Sequence, residues 1–143
     1  MSQENVEKLR ELFQPWDGRN LREFSEAWGS GEIDLSILAP DVAYEDTILP
    51  DHVGETYRGH DGVVRATERW AEPFQELVAE LDRIVGDGDS LVSVHRVRSR
   101  AEHTGIEFEA EVAYAWQFEE GRVVRFRSYW EPRAALESLG LEE

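Results

Sequence analysis

Three side chains have the chemistry to move a proton or to polarise a bound carbonyl group, namely Asp46, His95 and Tyr114. Asp46 comes at the end of a predicted strand, and a carboxylate beside an apolar pocket can accept a proton from a carbon acid. An imidazole such as His95 titrates near neutral pH, so it could act as a base or polarise a carbonyl group through Tyr114. One hypothesis is therefore a small enzyme that acts on an apolar carbonyl-bearing or polycyclic metabolite.

Each of these residues also has an interpretation without chemistry. Glu45 and Asp46 could be solvated carboxylates at a strand end, in a chain with many acidic residues. His95 could be a buried neutral histidine that is hydrogen-bonded to Tyr114. Two alternatives to an enzyme therefore stay open: a protein that binds a small ligand without catalysis, and a homodimeric interaction module.

The composition argues against several other kinds of site. The chain has no cysteine, which excludes disulfides, thiolate nucleophiles and zinc bound by thiolates. Its four histidines lack the spacing of a metal site, and no glycine-rich loop carries the lysine and following helix of a phosphate site. We therefore expect neither a metal nor an organic cofactor.

The formal net charge of −16 limits the expected partners. Nucleic-acid binding depends on lysine and arginine contacts to phosphates, so we expect no nucleic-acid partner. Anionic membrane surfaces are unfavourable for the same reason, and no apolar run approaches membrane-spanning length. Met1–Arg10 is polar and charged, unlike a signal peptide, so a cytoplasmic location is the default expectation.

Hydrophobic spacing predicts helices in the first half of the chain. The first helix carries Val6, Leu9, Leu12, Phe13 and Trp16 and is expected to end near Pro15. The second carries Leu21, Phe24, Ala27 and Trp28, a short helical turn covers Asp34–Leu38, and the third runs from Gly59 to Phe74. Pro50–Gly59 is predicted to be a loop, and one further short helix starts at Glu131-Pro132.

A period of two predicts the strands. They are expected at 42–47, 78–85, 91–103, 106–118 and 122–130. Three glycine-containing turns separate the last four strands from one another. Because helices come first and a run of strands follows, the predicted class is α+β, with residues 1–143 forming a single domain.

The hairpin turns predict which side chains face inward. With Thr104-Gly105 as a two-residue turn, Arg100 lies opposite Glu109 and His95 lies opposite Tyr114. A three-residue turn ending at Gly121 then places Tyr114 beside Phe126 and Val112 beside Ser128. This pairing makes one face charged and the other mostly apolar. The predicted concave lining is His95, Val112, Tyr114, Trp116, Phe126, Ser128 and Trp130, which suits a small-ligand pocket unless the helices fill the space.

Several short motifs are similar, in order and spacing, to those of one known family. They are Glu4-Asn5-Val6-Glu7, Pro40-Asp41-Val42-Ala43-Tyr44-Glu45-Asp46, Tyr57-Arg58-Gly59-His60-Asp61-Gly62-Val63, Glu102-His103-Thr104-Gly105 and Glu120-Gly121-Arg122-Val123-Val124. With these motifs the chain resembles the SnoaL-like group of the nuclear transport factor 2-like superfamily over nearly its whole length. That superfamily contains isomerases, cyclases, dehydratases, epoxide hydrolases and non-enzymatic binders, so the resemblance leaves the activity open.

The resemblance implies a cone-shaped, curved antiparallel sheet packed on three to four N-terminal helices, with a short C-terminal helix. It also implies a homodimer through the outer sheet face. Asp46 looks like the general base of ketosteroid isomerases. Their donor tyrosine falls at Phe24, which cannot donate, and the partner donor falls at Tyr114, which can. The acid of SnoaL-type cyclases falls at Ser128.

The candidate site therefore combines three catalytic candidates with a set of ligand contacts. Asp46, His95 and Tyr114 are the catalytic candidates. The expected ligand is a small apolar or aromatic molecule, because most of the contact side chains are themselves apolar or aromatic. The predicted ligand contacts are Phe24, Trp28, Val112, Trp116, Phe126, Ser128 and Trp130.

Overall fold

A computed structural model describes residues 2–15, 17–20, 35–46, 55–71, 74–101 and 104–142. The helices are α1 (Ser2–Phe13), α2 (Gly59–Ala71) and α3 (Pro132–Ser138). The strands are β1 (Leu38–Asp46), β2 (Glu55–Arg58), β3 (Phe74–Asp87), β4 (Ser90–Ala101), β5 (Glu107–Glu119) and β6 (Arg122–Tyr129). The predicted α+β class is confirmed. The predicted helix that contains Phe24 and Trp28 lies outside the described residues.

The six strands form one curved open sheet in the order β2-β1-β6-β5-β4-β3. Neighbouring strands are antiparallel except β1 and β6, which run parallel. An antiparallel sheet was predicted, and this one pair differs because β1 and β6 are far apart in the chain, and a long connection permits parallel pairing where a hairpin does not. The parallel pair matters for the site, since it sets the end of β1 beside the end of β6.

Three predicted stretches belong to a different kind of element in the structure. Leu35–Ile37 is a turn instead of a helix, closed by a hydrogen bond of 2.9 Å from the Leu38 amide to the Leu35 carbonyl. Phe74 starts β3 instead of ending α2. Strand β2 lies within the stretch predicted to be a loop. Of its four residues only Tyr57 is buried, so the sequence shows no alternation of apolar and polar residues that would predict a strand.

The predicted register of the β4–β5 hairpin is wrong by two residues. Arg98 pairs with Glu109 and His95 pairs with Val112, not with Tyr114. The Ala101 amide donates to the Ile106 carbonyl at 2.9 Å, so the connection is longer than the two-residue turn that was predicted. Because side chains alternate with a period of two, a shift of two residues leaves each of them on its predicted face.

The β5–β6 hairpin was predicted with a three-residue turn and instead has two residues in its turn. Glu119 pairs with Arg122, and Glu120 and Gly121 between them have φ of 51° and 80°. Positive φ at both positions is the requirement of the tight hairpin turn whose twist matches that of the strands. With a register shift beyond Gln117, Trp116 lies opposite Phe126. The inward faces are again those that were predicted.

The outer sheet face is divided into an apolar part and a charged part. Val92, Val94, Ala113 and Ala115 are buried together with two residues of α3, Ala135 and Leu136. The charged part contains exposed ion pairs such as Arg98–Glu80 at 3.5 Å, and exposed pairs add little stability. Helix α3 therefore covers part of the surface assigned to a homodimer, and dimerisation through the charged part stays a prediction.

Gly86 and Gly88 both have positive φ, but only at Gly86 would an added Cβ meet neighbouring atoms. An added Cβ at Gly86 would lie 2.6 Å from the Ser90 carbonyl oxygen, whereas one at Gly88 would meet nothing within 4 Å. Gly86→Ala should therefore lower the free energy of unfolding by about 3 kcal/mol and Gly88→Ala by about 1 kcal/mol. Urea unfolding of both variants measures the difference, and equal losses would contradict the steric argument.

Candidate functional site

A cavity of about 100 Å³ lies between the inner sheet face and helices α1 and α2. Its walls are almost entirely apolar, and three of the polar groups on them belong to Tyr44, His95 and Tyr114. An engineered apolar cavity of about 150 Å³ can hold benzene, so this volume suits a ligand of roughly one ring. The lining residues are Leu12, Phe13, Leu38, Tyr44, Val63, Ala66, Thr67, Leu77, Ala79, His95, Val97, Val112, Tyr114, Trp116 and Phe126.

Three stacked aromatic rings form one wall of the cavity. Phe126 stacks on Trp116 with centroids 4.5 Å apart and on Tyr44 at the same distance. The stack follows from the strand order, because Tyr44, Phe126 and Trp116 are direct neighbours across β1, β6 and β5. An apolar aromatic wall of this kind can pack against an aromatic or cyclic ligand.

His95 is 3% exposed and is held by a polar chain inside the core. Its Nε2 lies 2.9 Å from Ser93 Oγ, and the Trp116 Nε1–H group donates to the same oxygen at 2.8 Å. The Tyr114 ring meets His95 edge-on at 5.5 Å between centroids, so the predicted hydrogen bond between them is replaced by the one to Ser93. Burial lowers the pKa of His95 to about 4, which makes it a neutral and weakly basic group at pH 7.

Tyr114 is another residue with a polar group that lines the cavity. Burial, together with the negative charge of Asp46, raises the pKa of Tyr114 above its ordinary value. No hydrogen bond of this hydroxyl group is formed within the described part of the chain. Tyr114 is therefore a protonated phenol that can donate a hydrogen bond to a ligand.

Asp46 is 1% exposed, so it is not a solvated strand-end carboxylate. Ser128 Oγ donates to Asp46 Oδ1 at 3.4 Å, and the Tyr44 hydroxyl group donates to Ser128 Oγ at 3.1 Å. Its neighbour Glu45 points the other way and pairs with Arg127 at 3.3 Å in a partly exposed position. Asp46 does not itself line the cavity, but two residues that do are linked to it. Tyr44 is linked through the hydrogen bonds of Ser128, and Tyr114 through the effect of the Asp46 charge on its pKa.

The structure brings together most of the predicted site residues. The cavity wall includes His95, Val112, Tyr114, Trp116 and Phe126, and Ser128 lies behind it against Asp46. Trp130 was predicted to line the interior but is 48% exposed and does not line the cavity, because β6 ends at Tyr129. Phe24 and Trp28 fall outside the described residues.

Tyr44 is the main site residue that sequence reasoning missed. It stands two positions before Asp46 in the same strand, so alternation already placed both side chains on one face. Phe13 was identified as an apolar helix residue but not as a ligand contact, although its ring meets His95 at 4.7 Å. Nothing in the spacing along the chain indicates that contact, since it depends on how α1 packs on the sheet.

Within the ranges that the structure describes, no three or more histidine, aspartate or glutamate side chains are grouped to hold a metal ion. None of the helices in those ranges is long and apolar enough to cross a membrane.

A family model and several solved structures are similar to this chain. Residues 21–126 match the model of the SnoaL-like domain. A nuclear transport factor 2-like protein of unknown function from Burkholderia pseudomallei is 23% identical, with 96% of this chain and 97% of that one aligned and a TM-score of 0.69. A putative SnoaL-like polyketide cyclase from Jannaschia is 14% identical over 99% and 95%, with a TM-score of 0.68.

A third similar structure is TerC co-crystallised with polyporic acid, which is 16% identical over 94% of this chain and 96% of that one, with a TM-score of 0.67. At these identities the likeness shows the fold alone. No curated protein matches the chain. Because the domain model matches most of the sequence, the chain belongs to the SnoaL-like domain family.

Proposed function

We propose that this protein binds a compact, apolar or aromatic molecule in the cavity and removes a proton from a carbon beside the carbonyl group of that molecule. The observation that carries the proposal is an apolar cavity lined by Tyr114, whose hydroxyl group forms no hydrogen bond within the described residues and is influenced by the negative charge of the buried Asp46. Apolar walls with few, well-placed polar groups are typical of small-molecule sites.

The volume of the cavity sets the size of the ligand. About 100 Å³ limits the ligand to at most one small ring, whereas a polycyclic molecule would have to displace wall side chains. The stacked wall of Tyr44, Phe126 and Trp116 favours a flat or cyclic ligand over an extended chain. We therefore favour the single-ring carbonyl compound over the polycyclic metabolite.

The proposed reaction divides its work between two groups. The Asp46 carboxylate takes the proton as the C–H bond breaks, and the electron pair moves onto the carbonyl oxygen. Tyr114 donates its hydroxyl hydrogen to that oxygen as negative charge develops there. Ser128, which donates to Asp46 Oδ1, holds the carboxylate in position. His95 is assigned no proton transfer here, because its Nε2 already lies at hydrogen-bond distance from Ser93 Oγ.

The relatives support a small-molecule site without naming the ligand. One of them was crystallised with polyporic acid, and another is described as a putative polyketide cyclase. Cyclisation of that kind also begins with a carbon acid that loses a proton, so the proposed step is compatible with isomerase-type and cyclase-type reactions alike.

Binding without catalysis is a second candidate, and one observation favours it. Asp46 does not itself line the cavity, so a ligand could fill the cavity without touching the carboxylate. Deuterium exchange separates the two functions, because only a proton-transfer enzyme would speed the exchange of the hydrogens next to the carbonyl group of cyclohex-3-enone in D₂O.

A cavity-blocking substitution tests the binding step. Ala79 lines the cavity, and the longer side chain in Ala79→Leu would fill much of the space. We expect NMR titration with cyclohexanone to shift the methyl signals of Val97 and Val112 in the wild-type protein, and we expect at least a tenfold weaker affinity in Ala79→Leu. Ala43→Leu is the matched control, because Ala43 lies on the opposite face of its strand from the cavity residue Tyr44. Equal affinities in all three proteins would refute the proposed site.

A further inference from the structure

We propose that Trp116 and Ser93 fix His95 in the tautomer that carries its proton on Nδ1, so that the cavity selects ligands with a hydrogen-bond acceptor oxygen. The ligand part of this inference rests on the proposed function, since it takes the cavity as a binding site. The tautomer of the imidazole ring does not rest on the proposed function, because hydrogen bonds within the protein determine it.

The tautomer follows from what each group can donate and accept. The indole Nε1–H group of Trp116 can only donate, and it donates to Ser93 Oγ at 2.8 Å. Ser93 is fully buried, so its own hydroxyl hydrogen needs an acceptor inside the protein. In the described part of the chain that acceptor is His95 Nε2, 2.9 Å away. A nitrogen that accepts carries no proton, which leaves the proton of the neutral ring on Nδ1.

This assignment gives the cavity two donors. His95 and Tyr114 both line it, their rings are 5.5 Å apart, and neither His95 Nδ1 nor the Tyr114 hydroxyl group is hydrogen-bonded within the described ranges. An Nδ1–H group can donate but cannot accept, whereas the other tautomer would offer an acceptor in the same place. A ligand carbonyl oxygen can accept from both groups and so pairs donors that have no acceptor among the described residues.

Ser93 and Trp116 are therefore positioning residues, which act on the ligand through His95. Trp116 also forms part of the stacked wall, so replacing it would change both the wall and the hydrogen bond that positions His95. Replacing Ser93 changes only the hydrogen bonding. Removing its hydroxyl group frees Nε2, and the imidazole can then move its proton there and present an acceptor to the cavity. The discrimination between acceptor-bearing and purely apolar ligands should fall as a result.

NMR of the unliganded wild-type protein tests the tautomer directly. Long-range ¹H–¹⁵N correlation spectra at pH 7 should show a protonated Nδ1 and an unprotonated Nε2 for His95. In Ser93→Ala the ¹⁵N shift of Nε2 should move toward that of a protonated nitrogen. Ser99→Ala is the control, because Ser99 is buried on the same face of β4 and its hydroxyl group has no hydrogen-bond partner among the described residues. A protonated Nε2 in the wild type would overturn the proposal without needing any variant to fold.

Two probes of the same shape test the ligand selection. Cyclohexanone and methylenecyclohexane differ in whether an oxygen atom or a CH₂ group is attached to the ring. We expect the ratio of their affinities to fall at least fivefold in Ser93→Ala and to stay unchanged in Ser99→Ala. An unchanged ratio in a folded Ser93→Ala protein would overturn the proposed preference for ligands with an acceptor oxygen but not the tautomer of His95. Failure of both probes to bind the wild-type protein would overturn the proposed function as well.

Discussion

Replacement of Asp46 by asparagine should slow deuterium exchange into cyclohex-3-enone at least about 100-fold, because a positioned general base contributes roughly 10²- to 10⁴-fold to proton transfer. Asparagine has the shape of aspartate and keeps an oxygen that can accept the hydrogen bond from Ser128. The fold should therefore survive, and cyclohexanone should still bind. Exchange rates followed by NMR in D₂O, together with a thermal unfolding curve for each protein, measure both expectations.

Glu45→Gln is the matched control for this substitution. It removes the same charge from the adjacent residue, on the outer face of the strand, where Glu45 pairs with Arg127. Exchange in this variant should match the wild type within about twofold, since an exposed ion pair contributes little. If Asp46→Asn and the wild-type protein catalysed exchange equally well, Asp46 could not be the base and binding without catalysis would be the better account.

Acidification should destabilise the protein through His95. Burial lowers the pKa of this imidazole from 6.5 in the unfolded chain to about 4 in the folded protein. Between those values the unfolded state binds a proton that the folded state does not, so stability is fully present above pH 6.5 and is lost as the pH falls toward 4. Each pKa unit corresponds to about 1.4 kcal/mol, so the loss assigned to His95 is roughly 3 kcal/mol.

Urea unfolding at a series of pH values measures this loss, with His95→Gln as the reference protein. The remaining histidines and the carboxylates contribute alike in both proteins and cancel in the difference. We expect the stability difference between the wild type and His95→Gln to shrink from pH 7 to pH 4. A difference that does not depend on pH would show that His95 titrates normally and is not buried as described.

The sequence predicted which side chains lie on each face of the sheet, because an error of two residues in strand pairing does not move a side chain to the other face. His95, Tyr114 and Trp116 were placed inside although both hairpin registers were wrong. The registers themselves depend on turn geometry, and Glu120 gave no signal that it would adopt a positive φ beside Gly121. Trp130 was misplaced for a related reason, since alternation says nothing about where a strand ends.

The surroundings of Asp46 could not be predicted, because they depend on strands far apart in the chain. Ser128 reaches Asp46 only because β1 and β6 run parallel, with Glu45 beside Arg127. Local patterns predict hairpins between successive strands but do not predict which distant strands become neighbours. The same holds for the chain of Trp116, Ser93 and His95, which joins β4 and β5 in the register that was misjudged.

The measurement that tests the central claim most directly is a set of intermolecular nuclear Overhauser effects at a saturating concentration of cyclohexanone. The ring should show effects to the methyl groups of Leu77, Val97 and Val112, which face the cavity, and its neighbouring CH₂ protons should lie close to Tyr114. Effects confined to Val92 and Val94 beneath α3, or none to any cavity methyl group at saturation, would contradict a ligand site between the sheet and the helices.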